Sequence, residues 1–141
     1  MRMIFVNLPV KDLEASKRFF GELGFEFNPQ FTTDDAACMV VEENICAMLL
    51  TEEFFKTFIN GEIADPDTTE VLTCLSAGSR EEVDGLVSKA LAAGGTPWKP
   101  TLENGPMCGG SFRDLDGHVW EVAYMDMSQV EVPAGQAPAA A

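Results

Sequence analysis

Few residues in this chain can carry chemistry. There are four cysteines, Cys38, Cys46, Cys74 and Cys108, and one histidine, His118. No Cys-x-x-Cys pair occurs, and no histidine stands in ligand spacing to a cysteine, so a structural zinc centre is not indicated. A nucleophilic cysteine needs a base, and His118 is the single imidazole. Cys38, Cys46 and Cys74 lie in apolar stretches, where a thiol serves as a small hydrophobe. His118 stands three positions before Glu121, so on a regular strand the two face opposite sides. It reads as a turn-capping or surface residue hydrogen-bonded to Asp116. Arg113 could orient a carboxylate ligand or pair with Asp114 or Asp116. Gly109-Gly110 reads as a bulge or a close backbone approach to a ligand. No Gly-x-Gly-x-x-Gly leads from a strand into a helix, which argues against a phosphate cradle.

The elements that must position these residues follow from composition and pattern. Of 141 residues, 46% are hydrophobic and 23% charged, a globular composition at single-domain length. The net charge of −14 repels nucleic acid and anionic membrane, so neither is expected as a partner. No apolar run approaches the ~20 residues of a spanning helix, and the start Met1-Arg2-Met3-Ile4-Phe5 lacks a signal-peptide pattern. The expected setting is the cytoplasm, with reduced thiols.

Ile4–Val10 reads as a strand. Asp12 is placed to cap a helix carrying Leu13, Ser16, Phe19, Phe20 and Leu23, and Gly24 to end it. Phe25–Phe27 restarts a strand, and Ala37–Val41 and Ile45–Leu50 form a hairpin about Glu42-Glu43-Asn44. The second half repeats this order. Glu70–Leu75 reads as a strand, and Ser79-Arg80-Glu81-Glu82 as a capping box. Val83, Leu86, Val87, Ala90 and Leu91 form a buried stripe, and Gly94-Gly95 stops that helix. Thr96–Lys99 is extended, and Met107–Arg113 and His118–Tyr124 make a hairpin about Asp114-Leu115-Asp116-Gly117. Between the halves, Thr51 caps a short helix bearing Phe54, Phe55 and Phe58, either a plug on the sheet or a lid over a cavity. The segment 128–141 is Ala/Pro/Gly-rich and reads as a disordered tail.

Tandem β-α-β-β-β units punctuated in this way resemble the vicinal oxygen chelate superfamily, which includes glyoxalase I, bleomycin-resistance-type binding proteins and extradiol dioxygenases. The likeness is carried by the run Val6-Asn7-Leu8-Pro9-Val10-Lys11-Asp12-Leu13-Glu14-Ala15-Ser16, then Phe19-Phe20 and Leu23-Gly24-Phe25. At the other end, Asp114-Leu115-Asp116-Gly117-His118-Val119-Trp120-Glu121 looks like the family's Asp-Pro-Asp-Gly-x-x-x-Glu signature, with Leu115 in place of proline. The resemblance implies an α+β fold of tandem βαβββ modules forming a cupped mixed sheet. One glyoxalase-like domain would span residues 1–127, with modules 1–51 and 68–127 joined by the connector 52–67. It also implies a homodimer.

In the family a metal commonly sits in the cup, held by the first and fourth strands of each module. Those ligand positions fall here on Phe5, Met48, Glu70 and Glu121. Phenylalanine cannot bind a metal, and a thioether is a poor partner for ions that carboxylates prefer. The expectation is that no metal is tightly bound; one divalent ion held weakly by Glu70 and Glu121 is the alternative. If these two carboxylates converge, their repulsion raises one pKa and creates an acid–base pair without metal, making Glu121 and Glu70 the candidate catalytic residues. Phe5, Met48, Phe54, Phe58, Trp98, Met107, Phe112, Arg113 and Trp120 are the candidate ligand-binding residues. The reading is a protein with an incomplete metal site that binds a small, largely apolar molecule in its cup. The alternatives are a lactoylglutathione-lyase-like or dioxygenase-like enzyme using Glu70 and Glu121, and a structural or regulatory dimer with a filled cup.

Overall fold

The computed structural model describes residues 1–129, so most of the expected tail 128–141 lies outside the described residues. Nine strands and three α-helices appear among them: β1 (Ile4–Val10), α1 (Leu13–Glu22), β2 (Glu26–Phe27), β3 (Ala36–Glu42), β4 (Ile45–Thr51), α2 (Glu52–Lys56), β5 (Leu72–Ser76), α3 (Arg80–Ala92), β6 (Thr96–Pro97), β7 (Leu102–Asn104), β8 (Met107–Arg113) and β9 (Val119–Met125). No helix among the described residues is long and apolar enough to cross a membrane.

The helix ends follow local chemistry. The Asp12 carboxylate accepts from Ala15 N–H at 3.1 Å and caps α1. At the start of α3 the Ser79 hydroxyl accepts from Glu82 N–H at 3.1 Å. The expected reciprocal bond is displaced by one residue, because the Glu82 carboxylate accepts from Gly78 N–H at 2.6 Å instead. On α3, Val83 and Ala90 are buried but Leu91 is not. Leu91 lies about 80° round the helix from Val83, at the edge of the stripe. The second half also starts later than its pattern predicts, since β5 begins at Leu72 and leaves Glu70 outside the strand. The short strand β7, which the sequence pattern does not predict, pairs with β8.

The strands form two mixed sheets of identical order, β1-β4-β3-β2 and β5-β9-β8-β6, each with a parallel first–last pairing and antiparallel hairpins. This repeated order is the duplication in the sequence. One hydrophobic core joins both halves, running through Leu8, Phe19, Phe20 and Leu49 of the first and Val83, Phe112, Trp120 and Val122 of the second. The Phe20 and Trp120 rings meet edge to face at 5.3 Å, so α1 packs on the second sheet as well as its own. Gly110 lets α3 settle on β8: a Cβ there would lie 2.8 Å from Val87 Cγ2 and 3.0 Å from Val83 Cγ1. At Gly110 the close approach is between a strand and a helix.

The β8–β9 turn fastens the halves. Asp116 accepts from Lys11 N–H at 2.9 Å and from the Ser16 hydroxyl at 3.4 Å. Asp114 is buried and accepts three bonds, from Asp116 N–H (2.9 Å), His118 N–H (3.0 Å) and Trp120 Nε1–H (2.9 Å).

Candidate functional site

Because strand side chains alternate, each sheet has one face on the shared core and one facing away. In the second half, Trp120 and Val122 of β9 and Cys108, Gly110 and Phe112 of β8 face the core, leaving Glu121, Ala123, Met107, Gly109 and Ser111 on the other face. The register sets Cys74 beside Glu121 and Glu121 beside Ser111, three polar side chains in a row across β5, β9 and β8. The loop after β6 closes one side: the Ser111 hydroxyl accepts from Lys99 N–H at 3.1 Å and donates to the Lys99 carbonyl at 3.3 Å. The result is a cavity of about 460 Å³ whose lining includes Cys74, Lys99, Leu102, Met107, Glu121 and Ala123. That is the size range of small-molecule sites. Among the described residues Glu121 finds no side-chain hydrogen-bond partner, while burial and then the Glu121 charge push the Cys74 thiol up.

Glu70 stands elsewhere. It precedes the Glu121 partner Cys74 by four residues, about 13 Å along an extended chain, and its carboxylate bonds His118 Nδ1 at 2.6 Å. The condition for an acid–base pair, convergence of the two carboxylates, is therefore not met. His118 is 7% exposed, not a surface residue, and its Nε2 meets the Pro9 carbonyl at 2.7 Å. Both ring nitrogens face acceptors, an arrangement only the doubly protonated imidazolium satisfies. Burial works against that charge, but Asp114, the Pro9 carbonyl and Glu70 together outweigh it and raise the His118 pKa. Burial raises the Asp114 pKa too, opposed by the charge of His118 and by the three donated bonds.

Of the other candidate residues, Met107 lines the cavity. Phe112 and Trp120 do not, because their register turns them into the core. Phe5, 48% exposed, and the half-buried Met48 lie on the outward face of the first sheet, opposite Cys46 and Cys38 respectively. Phe54 and Phe58 stack edge to face at 5.0 Å on and just beyond α2, and Phe58 borders a separate hollow with Asn7, Leu50 and Ile59. Trp98 lies beside the Arg113 guanidinium (5.9 Å). Arg113 donates to the carbonyls of Pro66 (2.9 Å) and Gly117 (3.4 Å), rather than pairing with Asp114 or Asp116.

Cys74 was read from sequence only as a small hydrophobe, and Ser111 and Lys99 were not singled out. Two-residue alternation from Glu121 would have found the first two only once the strand register was known.

The donor set around Glu121 is a thiol, a hydroxyl and one carboxylate. No group of three or more His, Cys, Asp or Glu side chains among the described residues could hold a metal ion. These residues do not fit the four-ligand centre the resemblance implies.

Residues 2–42 match the family profile described as bleomycin resistance protein-like N-terminal. A hypothetical protein from S. aureus, SA1046, superposes with a TM-score of 0.75 at 29% identity, covering 88% of this chain and 94% of that one. A glyoxalase-related enzyme from Fulvimarina pelagi superposes with a TM-score of 0.71 at 25% identity, covering 88% of each chain. A glyoxalase/bleomycin resistance protein/dioxygenase family enzyme from Burkholderia phytofirmans shares the fold with a TM-score of 0.73 at 19% identity, over 89% of this chain and 99% of its own. No curated protein matches the chain.

Proposed function

We propose that this chain, a member of the vicinal oxygen chelate superfamily, binds a small, largely apolar molecule in the second-half cavity. The observation that carries the reading is one carboxylate, Glu121, without a hydrogen-bond partner among the described residues, in a mostly apolar hollow of about 460 Å³. Such a site takes its affinity from the apolar body of a ligand and its orientation from a single acceptor. A lyase or dioxygenase built on Glu70 and Glu121 would need both, and Glu70 is engaged by His118. An open cavity also disfavours a purely structural dimer with a filled cup.

A tightly held divalent ion has no part in this reading, because the donor set does not suit one. The chain is proposed to act as a homodimer. Ile4, Phe5, Leu72 and Leu102 are each between 48% and 61% exposed, and apolar surface of this kind is commonly covered by another chain.

The test is binding of a neutral solvatochromic dye such as Nile red, followed by its emission blue-shift. Gly109 lines the cavity and has open space where a side chain would start, so Gly109→Trp should fill the cup and abolish the shift. Undiminished dye binding in that variant would overturn the proposal. Metal content and titration with Mn²⁺, Ni²⁺, Zn²⁺ and Fe²⁺ test the second part. Stoichiometric tight binding lost in Glu121→Ala would establish a metal site instead.

A further inference from the structure

A second cavity, of about 260 Å³, lies where the connector passes over the end of β1 and the start of β9. Its walls are Phe55, Ile59, Ile63, Ala64 and Pro9, and its polar groups are Asn60, Glu62, Glu70 and His118. Both His118 nitrogens are spent, on the Glu70 carboxylate and the Pro9 carbonyl, and one Glu70 oxygen is spent on His118. What remains for a ligand is acceptors: the second Glu70 oxygen, the Glu62 carboxylate and the Asn60 amide oxygen. Among the described residues neither Glu62 nor Asn60 finds a side-chain hydrogen-bond partner. The charges of Glu62, Glu70 and the His118 imidazolium leave one net negative charge. The neighbouring crevice adds Lys11 against Glu52 and Asp116, so the local field stays negative.

We infer that this cavity is a separate binding site for a small primary ammonium with a short apolar tail. The ammonium would neutralise the residual charge by donating to Glu70 and Glu62, and the tail would lie against Phe55, Ile59 and Ile63. The volume falls just below the range of drug-sized sites, which bounds the ligand to a compact amine. The inference is independent of the cup, since the two cavities share no lining residue.

His118 is the chain's only histidine, so its ring Hε1 proton is a single-site NMR reporter at the cavity floor. The probe is 2-phenylethylamine, with 2-phenylethanol as the uncharged comparison. The expected result is a saturable shift of the His118 signal with the amine and binding weaker by roughly tenfold or more with the alcohol. Ile59→Trp, which blocks the cavity and leaves the His118–Glu70 pair in place, should abolish the shift. Glu70→Gln should weaken amine binding roughly tenfold; should it fail to fold, Glu62→Gln replaces it with a weakening of a few-fold. No saturable shift, equal affinity for amine and alcohol, or binding retained in Ile59→Trp would each overturn the inference. Loss in Gly109→Trp but not in Ile59→Trp would assign the amine to the cup and overturn it as well.

Discussion

Replacing Asp114 by asparagine should loosen the joint between the two halves. Asp114 Oδ1 accepts from two backbone N–H groups and Oδ2 from the Trp120 indole. An asparagine whose oxygen keeps the backbone bonds must turn its amide N–H₂ toward the indole N–H, donor against donor. Leaving the buried Trp120 N–H unsatisfied costs about 1–3 kcal/mol, and turning two charge-assisted bonds into neutral ones costs about 1 kcal/mol each. Removing a buried charge returns part of this, so the expected net loss is about 2–3 kcal/mol. At roughly 3–5 °C per kcal/mol for a chain of this size, Tm should fall by roughly 6–15 °C. Urea unfolding followed by tryptophan fluorescence measures the loss. The same variant removes the largest influence holding His118 protonated, so the His118 NMR titration midpoint should drop. A stability loss under about 0.5 kcal/mol, or an unmoved His118 midpoint, would refute the account of the joint.

Three further outcomes follow from the same geometry. The folded state holds the His118 proton to higher pH than the unfolded chain does, so its stabilisation is full below the ordinary value of 6.5 and is lost as pH rises through the folded value. The urea midpoint should therefore fall across that window in the wild type, and this component should vanish in His118→Gln. Gly110→Ala should cost about 1–3 kcal/mol by crowding Val83 and Val87. Gly109→Ala, with open space and an ordinary backbone φ, should instead be neutral or stabilising by up to about 1 kcal/mol; equal effects in thermal melts would contradict the packing of α3 on β8. Cys74 is the one exposed thiol of the four, so native protein should react with a single equivalent of iodoacetamide. Burial and the Glu121 charge hold that thiol above its ordinary pKa, so the reaction should be slow at pH 7 and faster in Glu121→Gln; more than one equivalent in the folded state would contradict the burial of Cys38, Cys46 and Cys108.

The repeat, the helix caps and the hairpins were legible in the sequence because each is set by residues within a turn or two of one another. Asp12 and Ala15, or Asp114 and Gly117, are local pairs. What was not legible depends on partners far along the chain. His118 draws its role from Glu70, 48 positions away, and from Pro9, 109 positions away, and no local signal marks either. Phe112 and Trp120 were candidate ligand-binding residues; the β8–β9 register put both on the core face. Glu70 was matched to a strand position it does not occupy, because β5 starts two residues later than its apolar pattern suggests.

The two halves share a topology yet differ in what covers their outward faces, and this difference underlies the proposal that binding falls to one of them. In the first half Cys38, Cys46 and Leu50 point outward but are buried, with exposures of 1%, 5% and 3%. The 3₁₀ turn Pro29–Phe31 packs on β3, and α2 packs on β1 and β4. Burial and then the neighbouring Cys46 thiol push Cys38 up to about 11, as expected for a thiol shut away from water. In the second half the corresponding outward positions, Glu121 and Ala123 of β9 and Gly109 of β8, are only half-buried, and β7 with the loop at Lys99 walls the face at one side without covering it. The acids divide in the same way. Asp114 and Asp116 are used up in fastening the turn to α1 and to Trp120, and Glu70 is used up on His118. Among the described residues Glu121 is the carboxylate of the signature left without a hydrogen-bond partner, and it stands on an outward face that stays open.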